Sequence, residues 1–247
     1  MGGNDDKTRA PVKRPGETLS DPVAARGEID AFVKRARALG PRLDGKRGRL
    51  IFALDATMSR QPMWDLACAL QAEMFEEAAA IGGLDVQLVY YRGLHECRAS
   101  NWVSDPKRLA TLMEKIDCRG GHTQIGRVLE HVRKEGKRQK VDAFVFVGDA
   151  MEEAVDDLCA KAGELGLLGV PAFMFQENID GIAERAFREI ARLTGGAWCP
   201  FDAGASAQLR DLLRAAAAYA AGGRVALADL SKRSGGQGAV KLLGQIR

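Results

Sequence analysis

The chain has 247 residues, 46% of them hydrophobic and 28% charged, with a net charge of +3. That balance fits one large globular domain, or two small ones, with a full core. No apolar run approaches the ~18 residues of a membrane span, and the basic N-terminus MGGNDDKTRAPVKRPGETLSD has no apolar segment behind it and no hydroxyl at position six, which argues against a secretory signal and against myristoylation.

The N-terminal 25 residues are rich in Gly, Pro, Asp and Lys and read as a disordered arm. GEIDAFVKRARALG follows, with Ile29, Phe32, Val33 and Ala36 on one face, the pattern of a short amphipathic helix that docks on the body. PRLDGKRG is a turn-rich linker. From Arg49 a regular alternation begins. RLIFALD is a near-continuous apolar strand. PMWDLACALQAEMFEEAAAIGG is a helix with Pro62 at its first position and Gly82 as its stop. DVQLVYYRG is a second strand, and HECRASNWVS a turn and third strand that takes in Trp102. DPKRLATLMEKID opens a helix at Asp105, and HTQIGRVLEHVRKEGKRQK is another, its basic last turn suited to the helix dipole. VDAFVFVGD, VPAFMFQE and AWCPFD are strands. MEEAVDDLCAKAGELG, DGIAERAFREIARLTGG and SAQLRDLLRAAAAYAAGG are the intervening and final helices. The end, LSKRSGGQGAVKLLGQIR, reads as a tail, although Ala239, Leu242, Leu243 and Ile246 have helical spacing.

Strands that are apolar throughout and alternate with helices imply a mostly parallel sheet covered on both faces. The expected architecture is therefore a three-layer α/β/α, Rossmann-like fold. Three regions follow: an arm with a short helix over 1–46, a domain over 47–223 and a basic tail over 224–247. Charge divides in the same way. Residues 1–48 hold 11 Lys and Arg against 7 Asp and Glu, residues 224–247 hold 5 against 1, and the middle holds 20 against 25. A mildly acidic body with two basic ends does not present the single basic face of a nucleic-acid binder. Five cysteines with no CxxC pair suit a reducing cytoplasm.

Ligands of open parallel sheets bind beyond the carboxyl ends of the strands, where strand order reverses. In the usual order that crevice lies between the first and fourth strands, which end here in Asp55 and Asp149. Between them in sequence the glycine-rich loop CRGGHTQIG delivers Thr123 to the start of a helix, on the same rim. With Thr57 and Ser59 just after the first strand, the candidate set is two carboxylates and three hydroxyls. All five are hard oxygen donors, which suit Mg²⁺, Mn²⁺ or Ca²⁺ better than zinc. Each residue also has a plainer reading. Asp149 three residues before Glu152 is a capping-box signature, Thr123 an ordinary N-cap, and Thr57 and Ser59 turn residues. His122 reads as an exposed loop residue. The His95-x-Cys97 and Cys118-x-x-x-His122 spacings match no compact zinc module.

D-x-T-x-S after the first strand, GGxT before a helix and VGD after the fourth strand resemble the metal-ion-dependent adhesion site (MIDAS) of von Willebrand factor A (VWA) domains. The resemblance covers about residues 49–223. It implies a six-stranded, mostly parallel sheet with one antiparallel edge strand. It further implies that Thr57, Ser59 and sometimes Thr123 bind the metal directly, with Asp55 and Asp149 more often acting through water. The family usually has Ser at the second position, where Thr57 keeps the hydroxyl and adds a methyl. RLIFALDAT, SRQPMWD, GGLDVQLVYYRG and FVGDAMEE also resemble a group of bacterial intracellular proteins with this domain.

The expected function is a cytoplasmic binding module, not an enzyme. A divalent cation captures an acidic residue of a partner such as an ATPase, a chaperone or an assembly factor, with no nucleic acid or membrane involved. The alternatives are a structural subunit with a vestigial site and, less favoured, a metal-assisted phosphoester hydrolase. Thr57 stands where a haloacid-dehalogenase phosphatase needs its second Asp, and neither a P-loop, a G-x-G-x-x-G nor a G-x-S-x-G motif follows the strands.

Overall fold

The computed structural model describes residues 47–178, 180–202 and 205–246. The arm and helix expected over 1–46 lie outside the described residues. Six strands form one sheet: β1 (Gly48–Asp55), β2 (Leu84–Arg92), β3 (Glu96–Ala99), β4 (Ala143–Gly148), β5 (Ala172–Glu177) and β6 (Ala197–Phe201). Their order is β3-β2-β1-β4-β5-β6, and every pairing is parallel except β2 with β3. The chain moves outward from β1 in one direction, then returns to place β4 on its other side. The order therefore reverses between β1 and β4, as the sequence predicts.

The described residues also form seven α-helices. A single 3-10 turn, Met58–Arg60, leads from β1 into α1 (Gln61–Ala79), which carries Pro62 in its first turn. The others are α2 (Pro106–Met113), α3 (Ile125–Arg138), α4 (Val155–Leu167), α5 (Gly181–Thr194), α6 (Ser206–Ser231) and α7 (Gln237–Leu243). One face of the sheet packs through Leu50, Phe52 and Leu54 against α1, α2, α6 and α7. The other packs through Ile51, Ala53, Phe144 and Phe146 against α3, α4 and α5. Alternate β1 residues thus serve opposite layers, which is why all eight are buried and why the strand reads as an unbroken apolar run.

Several expectations shift by local physics. Trp102 lies beyond β3; Val103 alone bridges back to Val86. Its indole donates to Glu135 and is covered by the Arg49 guanidinium at 3.9 Å. The segment from 224 onward is not a loose tail. Gly223 turns to φ 65° and only kinks α6, which runs on to Ser231. Leu227, Leu230, Ala239, Leu242 and Ile246 are buried in the α1-side core. Their apolar spacing finds a groove beside α6, and that burial outweighs the tendency of a chain end to fray. All five cysteines are free thiols.

Candidate functional site

β1 and β4 deliver the two predicted carboxylates to one place. Leu54 and Val147 are the last β1/β4 pair, so Asp55, the final residue of β1, and Asp149 lie one and two residues past it on the same rim. Asp55 is buried, at 4% exposure. Its Oδ1 accepts the Thr57 backbone N–H at 2.7 Å. Burial, first, pushes the Asp55 carboxyl above its ordinary value, and Asp149 adds to the rise; the Thr57 backbone and hydroxyl and the charge of Arg60 oppose it. Thr57 is half-buried and Ser59 exposed.

Thr123 reaches the same rim but does not cap its helix. The N-cap of α3 is Gln124, whose side chain makes no capping bond. Instead Glu153 accepts from the Ile125 and Gly126 N–H groups at 2.5 and 2.8 Å. Glu152 accepts from Thr123 N at 3.2 Å, while its own N–H donates to Thr123 Oγ1 at 3.0 Å. The capping box read from Asp149 and Glu152 is not formed, because α4 starts only at Val155. The two glutamates are spent on the neighbouring helix instead. They tie the Thr123 loop to the loop after β4, the loop that also carries Asp149. His122 bonds Glu152 through Nδ1 at 2.8 Å and, with the Thr123 N–H, keeps Glu152 below the usual carboxylate range.

The glycine-rich loop is held from its other side by the turn after β2. Gly93 O accepts from His122 N at 3.3 Å, and Gln124 Nε2 donates to the Arg92 and Gly93 carbonyls. A β-carbon on Gly121 would sit 2.1 Å from Gly93 O. Gly121→Ala should therefore push the loop outward and cost about 1–3 kcal/mol. Urea unfolding checks it; a loss within ~0.5 kcal/mol would mean that the loop relaxes freely.

Three further residues complete the crevice, and sequence reasoning did not select them. Tyr91, paired with Asp55 in the sheet, is fully buried, and its hydroxyl makes no well-formed hydrogen bond. It lies against Asp55; burial first, then that carboxylate, push it well above the ordinary tyrosine value. Arg60, 2% exposed, donates through Nη1 to Glu177 at the end of β5, and the same nitrogen lies 3.4 Å from Asp149 Oδ2. Glu177 carried the signal that picked out Asp55 and Asp149, a carboxylate closing an apolar strand. Arg60 follows Ser59 directly. Tyr91 gave no signal, since an aromatic in a buried strand reads as core.

Against known proteins, no family model and no curated protein matches the chain. Solved structures do. An aerotolerance-related membrane protein from Bacteroides fragilis NCTC 9343 aligns at 17% identity over 69% of this chain and 98% of that one, with a TM-score of 0.54. The SpRpn10 VWA domain aligns at 11% identity over 64% and 89%, with a TM-score of 0.50. The chain has a VWA-like fold. Proximal thread matrix protein 1 from the mussel byssus, at 15% identity and a TM-score of 0.55, is covered over 48% of its length by 71% of this chain. At these identities the likeness concerns the fold alone.

Within the VWA-like fold, the test of a metal site is the chemistry of the donors. Among the described residues no three His, Cys, Asp or Glu side chains group as metal ligands, so a cation at this rim would rely on hydroxyls as well as carboxylates. Asp55, Thr57, Ser59, Thr123 and Asp149 supply hard oxygens only, which fits a Mg²⁺-like ion. Charge fits as well. Asp55, Asp149 and Glu177 face the single guanidinium of Arg60, so within this cluster negative charge exceeds positive. The upward push on Asp55 comes first from its burial, with Asp149 a smaller contributor, and a divalent cation would oppose it.

Proposed function

We propose that this chain is a metal-dependent protein-binding module. Asp55, Thr57, Ser59, Thr123 and Asp149 hold a divalent cation, Mg²⁺ or else Mn²⁺ or Ca²⁺, at the carboxyl rim of the sheet. When bound, the cation offers a Lewis-acidic position to a carboxylate of a partner. The chain's own residues position and exclude. Thr57 N–H fixes the Asp55 carboxyl, Glu152 and Glu153 fix the loop that carries Thr123, and the buried strand ends keep water from one side of the crevice, where an ionic contact is stronger than in bulk.

The observation that carries this reading is the convergence of hard oxygens from three loops at the β1/β4 switch point, with acidic charge in excess. Capping does not explain it: Glu153 takes the free N–H groups of α3, and the 3-10 turn, α1 and α4 have no side-chain cap. The rim also exposes Met58 at 64%, Leu94 at 62% and Ile182 at 54%. These follow the carboxyl ends of β1, β2 and β5 respectively, and they give a partner apolar footing around the cation. The partner we favour is an acidic surface residue of a cytoplasmic protein, such as an ATPase, a chaperone or an assembly factor. In this reading the chain binds and does not catalyse.

Affinity capture with the full chain as bait, run in Mg²⁺ and again in chelator, tests the proposal. Partners should be recovered only with the metal, and Ser59→Ala should lose them. Recovery of identical proteins in chelator would refute metal-dependent capture and leave a structural subunit with a vestigial site.

A further inference from the structure

We infer that Arg60 is the rim's own competing cation, held off Asp149 by Glu177, and that this pair sets how tightly the rim takes a divalent ion. The inference rests on the metal-binding reading above and deepens it. Arg60 sits directly after Ser59 and is almost wholly buried. Its Nη1 is bonded to Glu177 and stands 3.4 Å from Asp149 Oδ2. A charge-assisted N–H···O bond runs at about 2.7–2.9 Å, so Arg60 belongs to Glu177 and only leans on Asp149.

Its remaining nitrogens, Nε and Nη2, are buried and make no hydrogen bond. A guanidinium cannot shed its proton to escape that cost, and buried donors without acceptors are unfavourable. The side chain is therefore under-satisfied where it is, and the Asp149 carboxylate, 3.4 Å from its Nη1, is a second acceptor beside it. Two arrangements follow. With Arg60 on Glu177, Asp149 keeps its charge for a cation. With Arg60 turned fully onto Asp149, the positive charge already sits at the carboxylate, and a divalent ion is repelled. Neighbouring like charges disfavour each other whether they belong to a side chain or to a metal.

The two partners thus pull metal affinity in opposite directions. Arg60→Met keeps the length and apolar stem and removes the charge; Mn²⁺ should bind about tenfold more tightly. Glu177→Gln keeps the shape and weakens the hold on Arg60, which then moves to Asp149; Mn²⁺ should bind about tenfold more weakly. Calorimetric titration of Mn²⁺ reads both, with melting in chelator as the check on folding. The Arg60→Met/Glu177→Gln double variant leaves no buried unpaired ion and should match Arg60→Met, so it serves if the single variant does not fold. Changes of the same sign, or no change, would overturn the inference while leaving the metal site intact. If neither wild type nor the Arg60→Met protein binds Mn²⁺, the metal-binding reading itself fails and takes this one with it.

Discussion

If the rim holds a cation as proposed, saturating Mg²⁺ or Mn²⁺ should raise the melting temperature of the protein, and Asp149→Ala should abolish the rise. A ligand that binds only the native state at a hundredfold excess over its Kd stabilises by about 2.7 kcal/mol. At about 2–4 °C per kcal/mol for a domain of this size, the expected rise is roughly 5–10 °C. Asp149 is the right residue to remove. It stands at the switch point beyond β4, 3.4 Å from the only cation the chain itself brings there by direct contact among the described residues. The rise should also depend on pH. Burial raises the pKa of Asp55 above its unfolded value. In the metal-free protein its contribution to stability is therefore full below the ordinary aspartate range and is lost as pH rises through the raised value. A bound cation favours the ionised carboxylate and reverses that loss, so the metal-induced rise grows from acid to neutral pH. Differential scanning calorimetry with and without metal across that range checks both points. An undiminished rise in Asp149→Ala would place the cation elsewhere.

Phe146→Ala should cost about 3–5 kcal/mol, as for other large-to-small changes in a closed core. Phe146 has no exposed surface. It stacks on Tyr91 at 6.3 Å and meets the edge of Phe187 at 5.4 Å, so it joins β2, β4 and α5 in one layer. The flanking strands are held in register by β1 and β5, so collapse into the cavity is limited. Urea denaturation measures the loss; one below ~1 kcal/mol would mean the layer repacks. The metal-induced rise should survive in this variant, because none of the oxygen donors is altered, and that separates damage to the core from damage to the rim.

Most of the architecture was legible in the sequence because it is written in short-range patterns. β1 and β4 are buried on both sides and so read as apolar runs. Asp105 and Asp180 stand before their helices and do cap them, accepting from Arg108 in one case and from Ile182 and Ala183 in the other. The errors came where a local signal had a distant competitor. Asp149 and Glu152 have capping-box spacing, but Glu152 is drawn to Thr123 and His122. The glycines at 222 and 223 look like a stop, but the residues beyond them find apolar partners on α6 and β6.

The sequence by itself determined the alternation of strands and helices and the acids at the ends of β1 and β4, and through them the crevice in which the proposed cation would sit. These are consequences of periodicity and of residue type, and each is set within a few positions along the chain. Only the tertiary structure decided that Arg60 and Glu177 reach the same crevice, that Tyr91 brings a buried hydroxyl against Asp55, and that Leu227, Leu230, Ala239, Leu242 and Ile246 belong to the core. Those facts depend on which strands become neighbours and which side chains lose their water together, and no spacing in the chain encodes such a meeting in advance.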